Sequence, residues 1–277
     1  MENSKQWSSA APGYIIFLVD QSRSMEEGFK GSMNKAAFTA LVINRTISDL
    51  IFSNSAGPKI KNRVFISIIG YGESISVIRT DYLSAFADAP IKIEKFIKQV
   101  YDGVGGLVDI EETLAIFIEP EADGLTPMGD AFTYAKQLIE DWVNIKPENP
   151  APVIINISDG EPFEGDGGDE PGKTIRAANQ IMAISTSDGN PLIFNIHIGD
   201  GGKEYSFEEN EAKLLDDQAK LLFKISSKVP DSYKGAAAVL GFTLKDQSRG
   251  FISNAGPEAL IKFINFGSSG AVDKVAK

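Results

Sequence analysis

The sequence predicts a Rossmann-like α/β fold: a doubly wound, mostly parallel sheet with one antiparallel edge strand and helices on both faces. Three observations point there. Short apolar runs, unbroken over Tyr14–Val19 and interrupted only by Asn156 in Val153–Ile157, read as strands buried on both faces, as parallel strands are. Longer segments carry apolar residues at three- and four-residue spacing, the period of a helix face. The two kinds alternate along the chain, which is the pattern of βαβ units.

Taken in order, Tyr14–Val19 is the first strand, and Asn34–Phe52 a helix with Ala37, Leu41, Ile47, Leu50 and Ile51 on its apolar face. Val64–Gly70 is the second strand. Ser74–Arg79 alternates Ile75 and Val77 with polar neighbours, and the short link Tyr71-Gly72-Glu73 makes it a hairpin partner and the antiparallel edge. Pro90–Tyr101 reads as a short helix, and Val104–Ile118 admits either a strand or a loop. Gly129–Val143 is a helix through Phe132, Ala135, Leu138, Ile139 and Trp142. Val153–Ile157 is a strand, Thr174–Ser185 a helix and Leu192–Ile198 a further strand. Ser206-x-x-Glu209 has the form of a capping box opening a helix to about Phe223, and Pro257–Phe266 closes the fold. The expected organisation is one domain over 13–267 with an elaboration near 81–123, a polar tail over 1–12 and another over 268–277.

With 43% hydrophobic and 23% charged residues, the 277-residue chain has the make-up of a globular protein. It has no cysteine, which excludes disulfides, thiolate metal sites and cysteine nucleophiles. No unbroken apolar run nears the roughly 20 residues of a membrane span. Met1–Pro12 lacks the apolar centre of a secretory signal, so a cytoplasmic protein is expected. The net charge of −11 and the lack of clustered Lys and Arg argue against nucleic acid or an anionic membrane as partner.

Ligands of a doubly wound sheet gather at the carboxyl ends of its strands. Three loops are expected to open there. Asp20-Gln21-Ser22-Arg23-Ser24 follows the first strand, Leu125-Thr126-Pro127-Met128-Gly129 precedes a helix, and Ser158-Asp159-Gly160-Glu161-Pro162 follows the Val153 strand. Each piece alone has a plain structural reading: polar triplets cap turns, Thr-Pro starts helices, and Ser-Asp-Gly makes turns. Together they deliver two carboxylates, Asp20 and Asp159, and three hydroxyls, Ser22, Ser24 and Thr126. This short-armed oxygen set suits Mg²⁺ or Mn²⁺ rather than zinc or copper.

The set Asp20-x-Ser22-x-Ser24, Thr126-Pro127-Met128-Gly129 and Ser158-Asp159-Gly160-Glu161-Pro162 resembles the von Willebrand factor type A domain and its metal-ion-dependent adhesion site, over roughly residues 13–266. The resemblance implies that both serines and the threonine coordinate the cation, with the aspartates acting directly or through water. It also implies binding rather than catalysis, with one coordination position kept for a Glu or Asp of a partner protein. Thr-Pro-Met-Gly and Asp-Gly-Glu-Pro are closest to the bacterial, intracellular branch. Ser248–Ala255 is similar to the end of stand-alone bacterial members found near tellurite-resistance or defence-type gene clusters. Members of that kind work beside a separate ATPase, kinase or phosphatase.

The competing class is a metal-dependent hydrolase or phosphatase at the same site. The only histidine, His197, lies within the strand Leu192–Ile198 and reads as a packed residue rather than a base. Asp20 as a phosphate-accepting nucleophile would want a second carboxylate where Ser22 stands. No Gly-x-x-x-x-Gly-Lys-Ser/Thr loop is present. The acidic run Glu161–Glu170 and the turn Gly199-Asp200-Gly201-Gly202 adjoin the same edge and read as solvated loops. Arg23 points out of the ligand set by alternation and reads as an exposed side chain or an attraction for an acidic partner.

Overall fold

A computed structural model describes residues 2–101, 107–163, 165, 170–199 and 203–269. Its main elements, in chain order, are β1 (Gly13–Asp20), α1 (Lys35–Ser53), β2 (Val64–Tyr71), β3 (Ile75–Tyr82), α2 (Leu83–Asp88), β4 (Lys92–Tyr101), β5 (Leu107–Ile116), α3 (Met128–Ile145), β6 (Val153–Ser158), α4 (Glu170–Met182), β7 (Leu192–Ile198), β8 (Tyr205–Ser206), α5 (Asp217–Ile225), α6 (Lys234–Val239), β9 (Phe251–Ala255) and α7 (Pro257–Gly267). Seven strands make one sheet in the order β8-β9-β7-β6-β1-β2-β3.

The inner strands are parallel, and β3 pairs antiparallel with β2 at one edge, as the Ser74–Arg79 alternation predicts. The two-residue β8 pairs antiparallel with β9 at the other edge, a strand too short to leave a period in the sequence. All eight residues of β1 are buried because helices cover both sheet faces. Ile15, Phe17 and Val19 face a layer of α1, α2, α6 and α7. Tyr14, Ile16 and Leu18 face α3, α4 and α5. By length and composition α1 would cross a membrane, but more than half of it is buried in this core.

Three expectations are corrected. Residues 92–101 are strand, not helix: Ile93, Phe96, Ile97 and Val100 carry a helical period, yet all ten residues of β4 pair with β5 in a separate two-stranded ribbon. Ladder pairing satisfies every second backbone group there. The Ser206 capping box does not open a helix. Phe207, at φ 52°, donates its N–H to Phe251 O and packs against Phe242, Phe263 and Phe266, which draws Tyr205–Ser206 onto the sheet. The helix begins later, capped by Asp216, whose carboxylate accepts the Ala219 N–H at 2.7 Å. Residues 2–12, expected as a polar tail, lie along the body: Trp7 is buried, and Asp188 Oδ1 accepts the Ser4 and Lys5 N–H groups. From residue 270 the expected C-terminal tail lies outside the described residues.

Asn44 on α1 fastens the chain after the ribbon. Its Oδ1 accepts the N–H groups of Phe117 and Ile118, and its Nδ2 donates to Ile118 O. That anchor sets the path of the segment leading to Thr126.

Candidate metal centre

The chain leaves β1 toward α1 and β2 on one side, and leaves β6 toward α4 and β7 on the other. Between β1 and β6 the connections therefore diverge, which makes the crevice at their carboxyl ends the binding position of a doubly wound sheet. In register, Asp20 lies beside Tyr71 and Ser158 beside His197, so four polar side chains share one row at that edge.

All five expected ligand residues converge here. Asp20 is buried; its Oδ1 accepts the Ser22 N–H at 2.8 Å and its Oδ2 the Ser158 hydroxyl at 2.5 Å. Ser22 Oγ and Ser24 Oγ are 3.1 Å apart, and Ser24 donates to Asp159 Oδ1 at 2.7 Å. A Cβ added at Gly160 would lie 3.9 Å from Thr126 Oγ1 and 4.0 Å from Ser24 Oγ, so both hydroxyls face the gap in front of Gly160. Thr126 is buried, and its backbone pairs with Phe163 through both N–H and C=O. None of the hydrogen bonds among the described residues uses its hydroxyl.

The donor set fits a hard dication. Adjacent corners of an octahedron with about 2.1 Å metal–oxygen bonds are about 3.0 Å apart, and the two serine oxygens already stand at that separation. Among the described residues no three His, Cys, Asp or Glu side chains gather as a metal site, so a cation at this edge would depend on the hydroxyls for most of its protein ligands. Burial pushes the Asp20 carboxyl up to about 6, opposed by its bonds from Ser158 and Ser22, while the nearby Asp159 charge raises it further.

Four features of the centre are not readable from the ligand motif. Lys35, the first residue of α1, places its ammonium 2.7 Å from Asp159 Oδ2 and 2.6 Å from Glu27 Oε2. Burial pulls this ammonium down, but the bonds to Asp159 and Glu27 outweigh it, and its pKa is raised. A lysine in a helix's first turn opposes the macrodipole, and that local conflict was the available signal. Ser158, quoted with the motif but not among its ligands, holds Asp20. His197 is buried; its Nδ1 accepts the Asn254 N–H at 3.1 Å, so its Nε2 carries the proton toward Asp159 O at 3.2 Å. Burial lowers its pKa and favours that neutral form. Last, Gly70, Gly72 and Gly124 let three loops meet. A Cβ on Gly72 would lie 2.5 Å from Asp123 O and 2.7 Å from Gln21 O, and Gly124 has φ +80° against Glu73.

Arg23 is exposed, with Asp123 Oδ1 3.5 Å from its guanidinium. Residues 164 and 166–169 of the acidic run and 200–202 of the glycine turn lie outside the described residues.

No protein-family model matches the chain, and no curated protein matches it. Similar solved structures include proximal thread matrix protein 1 from the mussel byssus, with a zinc-occupied MIDAS motif: 10% identity, TM-score 0.48, 95% of this chain and 48% of that one. The ArnB paralog VWA2 from Sulfolobus acidocaldarius is 16% identical, with TM-score 0.38, over 84% of this chain and 46% of that one. The conserved hypothetical protein BatB from Bacteroides thetaiotaomicron is 16% identical, with TM-score 0.35, over 68% of this chain and 67% of that one. In two further crystal structures of the mussel protein the chain spans 40% and 42% of its length. Likenesses this distant carry no functional weight, and the residues of the site must supply it.

Proposed function

We propose that this chain is a metal-dependent protein-binding module of the von Willebrand factor type A kind. In this reading Asp20, Ser22, Ser24, Thr126 and Asp159 hold Mg²⁺ or Mn²⁺, and a partner's Glu or Asp completes the shell. The observation that carries it is the pair of serine hydroxyls at octahedral-edge separation, flanked by two carboxylates and by the unengaged Thr126 hydroxyl. Three of the five ligands are neutral hydroxyls, so the set neutralises less of the cation's charge than a ring of carboxylates would, and a hard dication so held draws an anionic oxygen ligand. Asp20 is oriented by Ser158 and the Ser22 N–H, and Asp159 by Ser24 and Lys35, so neither carboxylate has to reorganise.

The hydrolase reading finds less support. Both His197 ring nitrogens are engaged by backbone groups, so it is not aimed at any hydroxyl as a general base. Both Asp20 oxygens are hydrogen-bonded within the edge rather than presented to solvent as a nucleophile. The partner we propose is a protein, in a cytoplasmic bacterial stress or defence system, possessing or recruiting an ATPase, kinase or phosphatase. The net charge of −11 supports neither a nucleic acid nor an anionic membrane in its place.

The test compares wild type with Thr126→Ala, each in Mg²⁺ and in EDTA. Removing this hydroxyl breaks no hydrogen bond among the described residues, so the fold, followed by circular dichroism, is expected to stand. Mn²⁺ affinity should fall by about tenfold or more, and a partner should be recovered from native cytosol only by wild type in Mg²⁺. Equal recovery in all four conditions, with unchanged Mn²⁺ affinity, would sink the proposal.

A further inference from the structure

We propose that Lys35 sets the charge of the metal centre, and so makes it a receptor for an anionic carboxylate rather than a tight chelator of the cation. This rests on the metal-binding reading above. Its basis is geometric. The Lys35 side chain is only 10% exposed, and it reaches the fully buried Asp159 carboxylate at the oxygen that Ser24 does not bond. Asp159 therefore divides its two oxygens: Oδ1 takes the Ser24 hydroxyl on the ligand side, and Oδ2 takes the ammonium. Glu27, the other partner of Lys35, is 69% exposed and largely screened by water.

The charges then decide the behaviour of the site. Asp20 and Asp159 bring two negative charges, which would by themselves cancel a dication. Lys35 offsets one of them. The loaded centre keeps a surplus positive charge in a partly desolvated crevice, where charge interactions are stronger than in water. The same lysine repels the incoming cation. It thus trades metal affinity for affinity toward the carboxylate. The placement supports a functional reading because a first-turn lysine works against the dipole of its own helix, and the folding of residues 27–35 delivers it regardless. The Lys35 N–H donates to Glu27 O, and the Asn34 side chain caps α1 through the Ala37 N–H.

The experiment uses Mn²⁺ alone, titrated by the electron spin resonance of the free ion. Acetate is then titrated against the Mn²⁺-loaded protein through water-proton relaxation. Lys35→Met should tighten Mn²⁺ and weaken acetate, each by about tenfold. Lys35→Arg should restore wild-type values for both. Glu27→Gln, at a side chain 69% exposed, should shift both in the opposite sense by about threefold. It keeps the idea testable should Lys35→Met fail to fold. A lysine with only a structural role would lower both affinities together in Lys35→Met and leave Glu27→Gln at wild-type values, and that pattern would overturn the inference while the metal site stood. A wild-type protein that takes up no Mn²⁺ would overturn the metal-binding reading and this inference with it.

Discussion

At the carboxyl ends of β1 and β6, three loops press together until only glycine fits at Gly72 and Gly124, and each carboxylate oxygen of Asp20 and Asp159 has a named partner. The β4–β5 ribbon is built the other way. Its ten cross-strand pairs belong to no larger sheet, and Ile93, Tyr101 and Val108 stand exposed at 65%, 82% and 47%. Near its base, Leu114 and Ile116 are buried, and Asn44 fixes the chain beyond it. The contrast is between a region determined by many converging contacts and one determined by a single ladder. The first is expected to respond sharply to small changes and the second hardly at all.

The largest effect should come from the desolvated carboxylate. Asp20 titrates near 3.8 when unfolded and about 6 in this fold. A raised carboxyl pKa means the folded protein holds that proton more tightly. The associated stability is complete below about pH 4 and is lost as pH rises through about 6. Two units correspond to about 3 kcal/mol. Urea denaturation of metal-free wild type and Asp20→Asn across pH 4 to 7.5 should show wild type losing about that much relative to the variant. Saturating Mg²⁺ should remove the difference in slope, since a cation held at this edge would take the ionised carboxylate. Parallel curves without metal would mean that water reaches Asp20, and that the edge is less tightly closed than its contacts imply.

Next is the close approach itself. Gly72→Ala places a methyl group against two backbone carbonyls, which cannot move aside as a side-chain tip would. A loss of about 2 kcal/mol is expected, together with weaker Mn²⁺ binding because the displaced Gln21 backbone carries Asp20 and Ser22 with it. Gly70→Ala is the control: its methyl meets the Gln21 side-chain amide, which can swing away, so Mn²⁺ affinity should stay near wild type. If the two variants behave alike, loop packing is not what sets the ligand geometry.

The same contrast explains what the sequence made legible. The meeting of Asp20, Ser22, Ser24, Thr126 and Asp159 at one sheet edge was legible because each sits at a fixed offset from a strand or helix whose burial pattern is plain. The central strands were legible because a strand covered on both faces must be apolar throughout. Lys35 and Ser158 were not, since their roles depend on contacts spanning 124 and 138 residues. Residues 92–101 misled because apolar side chains spaced three and four apart mark a helix only if some surface covers that face. Here the pairing partner was β5, in a segment that its own residues left open between strand and loop. Phe207 taught the same lesson: an aromatic cluster gathered from α7 and Phe242 overrode a good capping signature.

The smallest effect should come from the ribbon. Deleting residues 95–113 and closing the Glu94–Leu114 pair with an Asn-Gly turn removes the outer ladder and the exposed Lys95–Glu111 pair, while keeping Leu114, Ile116 and the Asn44 anchor. An isolated two-stranded ribbon contributes little in water, and an exposed ion pair contributes less than about 1 kcal/mol. The shortened protein should unfold within about 1 kcal/mol of wild type, with the same denaturant slope and Mn²⁺ affinity within about twofold. A loss above about 3 kcal/mol would show that the outer ribbon folds as one unit with the sheet. A change in Mn²⁺ affinity at unchanged stability would show instead that its charged side chains, Lys95 and Glu111 among them, act on the metal edge from a distance.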